Sequence, residues 1–237
     1  MLRKTKIVAT IGPASEQLDV LVRLLDAGVD VCRLNFSHGT QEEHRRRIEN
    51  IREAGRRVGK DVGIMIDLKG PEIRIGTFEN GKVLLREGDD FTLTTEPVVG
   101  NQERVWVQYD GIVNDVPEGG YLLLDDGNIT IQAVEVRPKE IRCRVIVGGV
   151  LSDRKKINLP GTKVSLPALS EKDVAYIRFG VEMGVDFVAG SFIRKAQDVL
   201  EIRRVIEEAG GHQQIISKVE SQEGFDNLED ILQVSDG

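Results

Sequence analysis

Cysteine is scarce in this chain, and no long apolar run is present. Cys32 and Cys143 are the only cysteines among 237 residues, and they form no Cys-x-x-Cys pair. A disulfide scaffold or a zinc site is therefore not expected, and both thiols are predicted to be reduced, as in a cytoplasmic protein. No apolar stretch approaches the ~20 residues of a transmembrane helix. Residues 7–11 are too short for the apolar core of a signal peptide.

Positive charge is not in excess either. The formal net charge is -7, and basic residues form no stripe interleaved with aromatic residues. Nucleic acid is therefore not expected as a partner, and an anionic substrate would have to be bound by local cations. The chain is 40% hydrophobic and 30% charged. This composition is ordinary for a soluble globular protein, and the length suggests one or two domains.

The two ends of the chain alternate between strand and helix patterns. β-branched or apolar runs predict strands at residues 6–10, 29–34, 62–66, 187–189 and 215–218. Apolar residues at helical spacing predict helices at residues 15–26, 40–58, 170–183, 195–209 and 223–232. The expected N-caps are Ser15, Thr40 in a capping box with Glu43, and Ser170 with Asp173. This alternation predicts an α/β domain.

The middle of the chain, residues 71–166, has a different pattern. Short alternating runs are separated there by glycine pairs and by the hairpin dipeptides Asn80-Gly81 and Asp126-Gly127. We therefore expect an all-β domain at 71–166, inserted into an α/β domain made of 1–70 and 167–237. About five βα units are too few for a complete (β/α)₈ barrel, and the pattern alone fits either an open sheet or part of a barrel.

Polar side chains follow two of the predicted strands. Arg33, Asn35 and Ser37 alternate at the end of the second strand, and an extended chain would direct all three to one face. Asp67 follows the third strand. The oxygens of Asn35, Ser37 and Asp67 suit a hard cation beside an anion bound by Arg33. Polar turn residues that cap the next helix would give a similar pattern, and His38 is weak evidence by itself.

A second pair of charged residues follows the last predicted strand. Lys218 and Glu220 are two residues apart, so an extended chain places them on one face. An ammonium group beside a carboxylate can neutralise a phosphoryl group and hold a divalent metal ion. Lys-x-Glu is a common spacing, and a surface ion pair at a strand end would give the same pattern.

Basic residues lie near both ends of the predicted insert. Arg74 follows Gly70-Pro71, and residues 154–156 (Arg-Lys-Lys) precede the return to the α/β pattern. A basic cluster on a mobile insert can close over a polyphosphate as a lid. A solvated run of charged residues is the alternative interpretation.

Seven ordered segments resemble signature segments of the pyruvate kinase family: 4–15, 33–39, 67–74, 158–161, 166–173, 191–194 and 216–220. The resemblance extends over the whole chain. It implies that the α/β part is the first five strands of a TIM-type (β/α) barrel and that the insert is the mobile lid called the B domain. It also implies phosphoryl transfer from phosphoenolpyruvate to ADP, giving ATP and pyruvate in glycolysis. The family's enzymes use magnesium and potassium and form cytoplasmic homotetramers.

The resemblance assigns roles by position. Arg33 would bind the phosphoryl group of the substrate. Lys218 would also contact the substrate, and as the catalytic residue it would stabilise the charge that passes between donor and acceptor oxygens. The implied potassium ligands are Asn35, Ser37, Asp67 and the backbone carbonyl of Leu68, and the implied magnesium ligand is Glu220. The implied nucleotide contacts are Asn35, Phe36, Ser37, His38, Arg74 and Lys155. Lys156 stands where the family usually has glycine, so which lysine reaches the nucleotide stays open.

The sequence stops where the family continues into a sixth strand and an Ala-Arg-Gly-Asp segment, which supplies a second magnesium carboxylate. We therefore expect an N-terminal piece of a pyruvate kinase that is inactive alone and self-associates through open sheet edges. One alternative is a nucleotide- or phosphate-binding or folding fragment without turnover. Another is a different barrel that handles phosphoenolpyruvate or pyruvate, and the insert at residue 71 argues against it.

Overall fold

The computed structural model describes residues 4–237, which form two compact units. The first unit extends to Pro71 and resumes at Ala168–Gly237, and the second unit is Glu72–Pro167. Each unit has its own hydrophobic core. Between residues 4 and 237, no helix is long and apolar enough to cross a membrane.

Strands and helices are labelled separately in chain order. The strands are β1 (Val8–Thr10), β2 (Val31–Asn35), β3 (Gly63–Asp67), β4 (Ile73–Arg74), β5 (Lys82–Leu85), β6 (Asp90–Thr94), β7 (Arg104–Trp106), β8 (Tyr121–Leu124), β9 (Ile129–Arg137), β10 (Glu140–Val147), β11 (Gly149–Ser152), β12 (Lys156–Asn158), β13 (Phe187–Gly190) and β14 (Gln214–Ser217). The helices are α1 (Leu18–Asp26), α2 (Gln41–Val58), α3 (Ile112–Asp115), α4 (Glu171–Glu182), α5 (Ala196–Glu208), α6 (Gln222–Asp226) and α7 (Leu228–Val234).

The strands of the first unit form one parallel sheet of five, in the order β1-β2-β3-β13-β14. Helices follow β1, β2, β13 and β14, whereas β3 leads into the second unit. These are the βα units of a partial (β/α) barrel, so the α/β fold class predicted from the sequence is confirmed. Buried strand residues such as Leu34, Ile64 and Ile215 share one core with helix residues such as Leu21 and Ile48.

Two helices of the first unit begin as the sequence predicts. Thr40 and Glu43 form a reciprocal capping box at the start of α2. Ser170 and Asp173 form the same arrangement at the start of α4. In each box the side chains satisfy backbone N–H groups that a helix leaves unpaired at its first turn.

The predicted N-cap at Ser15 is wrong. Helix α1 begins at Leu18, after Gln17, and the side chain of Gln17 makes no capping hydrogen bond. Ser15 closes the preceding turn, where its hydroxyl accepts the N–H of Gly12 at 3.0 Å. A hydroxyl that is engaged in a local turn is not available to cap a helix.

The last predicted helix, 223–232, is also wrong, because the structure has two helices there. Helix α6 ends at Asp226 and α7 begins at Leu228, with Asn227 between them. The side-chain amide of Asn227 donates to the carbonyl oxygen of Arg194 at 2.9 Å. This contact with a residue distant in sequence coincides with the break, and the helical spacing of the apolar residues does not reveal it.

The second unit consists mainly of β-strands. A sheet of seven strands has the order β4-β12-β8-β9-β10-β6-β7, and β11 pairs with β5 in a separate two-stranded sheet. Its neighbouring strands are antiparallel except β6 and β7. Helix α3 is a short helical segment that the sequence patterns did not predict. Phe91, Leu122, Ile131 and Ile141 lie in the buried core of this unit.

One of the two predicted hairpin dipeptides joins paired strands. Asp126-Gly127 lies between β8 and β9, and Leu124 pairs with Ile129 across the loop. The hairpin predicted at Asn80-Gly81 is wrong, because the following strand, β5, pairs with β11 and not with β4. A turn dipeptide determines the local backbone conformation, whereas burial of apolar side chains in the core determines which strands pair.

Candidate functional site

Polar side chains meet at the carboxyl-terminal edge of the parallel sheet. Thr10 ends β1 and is paired in register with Arg33 of β2. Asp67 ends β3, Ser191 follows β13, and Lys218 follows β14. The corresponding ends of parallel strands lie at one edge of a sheet, which is where α/β proteins bind their ligands.

Asp67 lies at the centre of this group. Its side chain is 2% exposed, and it pairs with two cations. The Nε of Arg33 donates to Asp67 Oδ2 at 2.7 Å, and a second guanidinium nitrogen pairs with the same oxygen. The Nζ of Lys218 is 3.2 Å from Oδ1 and 3.4 Å from Oδ2. Two positive charges thus share one buried carboxylate, which fixes both cations at this edge of the sheet.

Arg33 and Lys218 also reach solvent. Their side chains are 31% and 32% exposed, respectively. Thr10 holds Arg33 from the other side, because the guanidinium Nη1 donates to Thr10 Oγ1 at 2.7 Å. The sequence patterns gave Thr10 no role. Its position at the end of the strand beside Arg33 is the signal that identifies it.

Ser191 is a second residue that sequence reasoning missed. It is 6% exposed. Its hydroxyl accepts a hydrogen bond from Lys218 Nζ at 2.7 Å and donates to the carbonyl oxygen of Leu68 at 2.8 Å. Ser191 follows its strand directly, as Lys218 does. Comparison of strand ends could have found it.

Asn35 ends β2 and is paired in register with Asp67. Its Oδ1 accepts the backbone N–H of Ser37 at 3.0 Å. Ser37 itself lies beyond the strand, in a turn. The predicted extended alternation therefore holds for Arg33 and Asn35 and is wrong for Ser37, because the chain turns after Asn35.

Phe36 and His38 lie in this turn and face different environments. Phe36 is 1% exposed. It stacks on the ring of His44, with 3.9 Å between the ring centroids. His38 is exposed, and its carbonyl oxygen is 2.9 Å from Nε2 of His44. Phe36 is therefore packed into the core, and its backbone N–H donates to the carbonyl oxygen of Asp67 at 2.9 Å, whereas His38 is accessible.

Glu220 lies beside Lys218, as the sequence predicts, with 3.8 Å between Oε1 and Nζ. Its Oε2 accepts the backbone N–H of Phe192 at 2.9 Å. Phe192 has a positive φ of 55°, an uncommon conformation for a residue other than glycine. Among residues 4–237, no cluster of three or more His, Cys, Asp or Glu side chains is placed to hold a metal ion.

Three basic residues near the two ends of the second unit form ion pairs. Arg74 Nε donates to Glu72 at 2.9 Å, and Lys156 Nζ lies 2.5 Å from the other oxygen of that carboxylate. Lys155 Nζ lies 2.6 Å from Asp125. The hydrogen bond from Lys155 lowers the pKa of Asp125 below its usual value. Lys156 of β12 is paired in register with Arg74 of β4, so these two basic residues lie side by side on adjacent strands.

The structure thus brings together Arg33, Asp67, Lys218 and Glu220 in the first unit, with Asn35 next to Asp67 in the sheet. Arg74 and Lys155 belong to the second unit. Asn35 and Asp67 lie at strand ends and Arg33 lies within β2, whereas Phe36, Ser37 and His38 lie in the turn after β2.

Comparison with known proteins identifies the class. A family model described as "Pyruvate kinase, barrel domain" matches residues 2–237. The chain is 51% identical over 240 residues to a pyruvate kinase of Geobacillus stearothermophilus and 49% identical over 239 residues to one of Bacillus licheniformis. It is 47% identical over 238 residues to a pyruvate kinase of Staphylococcus aureus strain MRSA252. Each match covers 100% of this chain and 41% of the relative.

The fold and these matches place the chain among α/β proteins built on a barrel domain. The chain belongs to the pyruvate kinase family, as the ordered signature segments indicated. It spans 41% of the length of the relatives that it matches.

Proposed function

We propose that this sequence supplies the substrate-binding part of a pyruvate kinase, which transfers the phosphoryl group of phosphoenolpyruvate to ADP and gives pyruvate and ATP in glycolysis. The observation that carries the proposal is the placement of Arg33 and Lys218 on one buried carboxylate, Asp67, at the carboxyl ends of parallel strands. Phosphoryl transfer needs alignment and positive charge far more than covalent participation of the protein. This group of residues offers both.

The roles of the two cations follow from their surroundings. Arg33 has a planar guanidinium held by Thr10 and Asp67, and we assign it to the phosphoryl oxygens, which it can bind with two parallel hydrogen bonds. Lys218 is a compact charge, and we assign it to the oxygens between which negative charge moves during transfer. Asp67 keeps both cations in place before the substrate arrives.

Cation binding is proposed from the chemistry of the donors. Asn35, Ser37, Asp67 and the Leu68 carbonyl offer only oxygen ligands, which suit potassium, and Glu220 offers a carboxylate for magnesium. Bound magnesium would stabilise negative charge on phosphoryl and enolate oxygens. Asn35 Oδ1 and the Leu68 oxygen already accept hydrogen bonds from the chain's own donors, so these ligands are held in place.

Nucleotide binding is proposed for each unit. In the first unit, we assign ADP contacts to Asn35, Phe36, Ser37 and His38, of which His38 is the exposed member. In the second unit, Arg74 and Lys155 are 30% and 39% exposed and would bind phosphate oxygens. We propose 1–70 with 167–237 as the barrel domain and 71–166 as the lid domain.

Cellular location and assembly are further parts of the proposal. Cys32 and Cys143 are free and buried, which suits a reducing compartment such as the cytoplasm. We propose self-association of the 237-residue chain, because β1 and β14 are the outer strands of their sheet and Val8 on β1 is 52% exposed. A homotetramer is proposed for the complete enzyme.

The second candidate function is a phosphate- or nucleotide-binding or folding fragment without turnover. It is favoured by one fact, which is that the chain spans 41% of the relatives' length. We expect this behaviour from the 237-residue polypeptide by itself, so no pyruvate should form when it is mixed with phosphoenolpyruvate, ADP, magnesium and potassium. Turnover near that of the relatives would reject this expectation.

A chimera tests the catalytic proposal. The matching segment of the Geobacillus stearothermophilus pyruvate kinase is replaced by this chain, and pyruvate formation is measured. We expect turnover, and Lys218→Met should lower kcat by about a hundredfold or more while changing KM little, because its charge matters most in the transition state. Lys139→Met, on an exposed lysine paired with Glu96, is the matched control. A folded chimera that binds phosphoenolpyruvate without turnover would support the second candidate.

A further inference from the structure

We propose that Ser191 is a positioning residue that fixes the ammonium group of Lys218. Its importance for phosphoryl transfer rests on the proposed function, whereas its hold on Lys218 does not. The family comparison assigned no role to Ser191.

The shortest hydrogen bond of Lys218 is to Ser191. The distance from Nζ to Ser191 Oγ is 2.7 Å, against 3.2 and 3.4 Å to the oxygens of Asp67 and 3.8 Å to Glu220. Strong hydrogen bonds from charged nitrogen lie near 2.7–2.9 Å, and attraction at longer range is less directional. The carboxylates therefore attract the Lys218 ammonium group by charge, and the hydrogen bond to Ser191 fixes its position and orientation.

The hydroxyl of Ser191 is itself fixed. A serine hydroxyl has one proton and two acceptor positions. Its proton points to the Leu68 carbonyl oxygen, at 2.8 Å, and the longer contact with Asp67 Oδ1 is 3.4 Å. An acceptor position is then left for Lys218. Ser191 thus connects the ammonium group with the carbonyl proposed above as a potassium ligand.

Close packing restricts the Ser191 backbone as well. Gly70 has φ of +70°, and a Cβ added there would lie 2.7 Å from the carbonyl oxygen of Ser191 and 3.0 Å from its Cβ. The backbone at Gly70 therefore packs directly against Ser191, and this close approach requires a glycine at position 70. Ser191 is 6% exposed, so its side chain has little freedom to move away from Lys218.

The next residue of the same turn holds Glu220. The backbone N–H of Phe192 donates to Glu220 Oε2 at 2.9 Å. The backbone also joins these segments, because Lys218 N–H donates to the Gly190 carbonyl and Ile193 N–H donates to the Lys218 carbonyl. One turn therefore sets the places of both charged groups. Without the hydroxyl, the ammonium would be expected to move toward the two carboxylates.

The test reads the ammonium group directly in the 237-residue chain. The nitrogen-15 resonance of a lysine ammonium is observable when a hydrogen bond slows its proton exchange. Lys218→Arg assigns the Lys218 signal by removing it. The signal of Lys60, whose Nζ donates to the Val29 carbonyl at 2.6 Å, reports on the integrity of the same unit. The variants are Ser191→Ala, Ser191→Cys and Ser191→Thr.

We expect Ser191→Ala and Ser191→Cys to speed proton exchange at Lys218 by about tenfold, with the Lys60 signal unchanged and with partial recovery in Ser191→Thr. An unchanged Lys218 signal in the alanine and cysteine variants would show that the carboxylates alone hold it, which overturns the proposal. Loss of both lysine signals in both variants would make Ser191 a folding residue, which also overturns it. None of these outcomes depends on enzymatic activity.

Discussion

Asp67 is the residue on which the arrangement of the site depends most. Its carboxylate is almost inaccessible and is compensated by Arg33 and Lys218. A buried charge is tolerated when it is paired and hydrogen-bonded, and removing one member leaves the others uncompensated. Asp67 therefore has a structural role before any ligand binds.

Asp67→Asn should lower the free energy of unfolding by about 2–3 kcal/mol, because two cations lose their shared counter-charge. Urea unfolding followed by circular dichroism measures this difference. Glu182→Gln is the control, since Glu182 pairs with Arg45 at an exposed site, and it should leave stability essentially unchanged. Equal effects of the two substitutions would contradict the central place given to Asp67.

His44 predicts a dependence of stability on pH. It is 1% exposed, and within residues 4–237 its Nδ1 has no hydrogen-bond partner. Burial lowers the pKa of His44 below its usual 6.5. Below pH 6.5 the unfolded chain therefore takes up a proton at His44 more readily than the folded chain does. The stability contributed by neutral, buried His44 is fully present above about pH 6.5, and it is lost as the pH falls through the lower pKa of His44 in the folded chain.

His44→Gln should flatten the fall in the free energy of unfolding below pH 6.5, a fall of at most about 1.4 kcal/mol per pH unit for one group. The measurement is a series of urea titrations between pH 5 and 7.5. His212→Gln is the control because His212 is exposed. A pH profile that His44→Gln leaves unchanged would show that another group causes the loss.

At the scale of single elements, local sequence predicted helix starts only where the capping side chain had no competing partner. Thr40 with Glu43 and Ser170 with Asp173 form their boxes as the sequence predicts. Ser15 bonds to Gly12 instead. In each case the hydroxyl bonds to a backbone N–H three residues away. The spacing of apolar residues does not show whether that N–H belongs to a turn or to the first turn of a helix.

Helix α1 can be improved at the position where a cap is missing. Gln17→Ser should raise the free energy of unfolding by about 0.5–1 kcal/mol. A serine hydroxyl at the N-cap accepts a hydrogen bond from a backbone N–H of the first turn, whereas the Gln17 side chain makes no capping hydrogen bond. Gln41→Ser, one residue inside α2, is the matched control and should give no gain. Equal thermal stabilisation by both would show that the gain does not come from capping.

Candidate site residues were predictable where they end strands and unpredictable where tertiary structure decides. Arg33, Asp67 and Lys218 stand at the ends of apolar runs, so the parallel sheet alone brings them together. The role of Ser191 depends on a proton directed to the Leu68 carbonyl. The break at Asn227 coincides with a hydrogen bond to Arg194, 33 residues away. Sequence spacing contains neither contact.

At the scale of the molecule, each unit has its own core. The core of the second unit includes Phe91, Leu122, Ile131 and Ile141, and its members all lie within 72–167. A segment with its own buried core and paired strands is expected to fold independently.

The polypeptide 72–167 expressed alone should therefore fold. Its amide chemical shifts should match those of the same residues in the 237-residue chain, except near its two ends. Ile131→Ala, which empties a fully buried position, should destabilise this polypeptide by about 2–5 kcal/mol. An unfolded spectrum for the unsubstituted segment would contradict the independence of the second core.

Binding of phosphoenolpyruvate to the 237-residue chain, measured by isothermal titration calorimetry, tests the central claim most directly. Arg33→Met should weaken the affinity by at least about tenfold, since a guanidinium bound to phosphoryl oxygens is removed. Arg45→Met, which removes an arginine of α2 that pairs with Glu182, should bind as the unsubstituted chain does. Absence of binding by the unsubstituted chain, or equal affinity of Arg33→Met, would contradict the assignment of the anion site to the carboxyl ends of these strands.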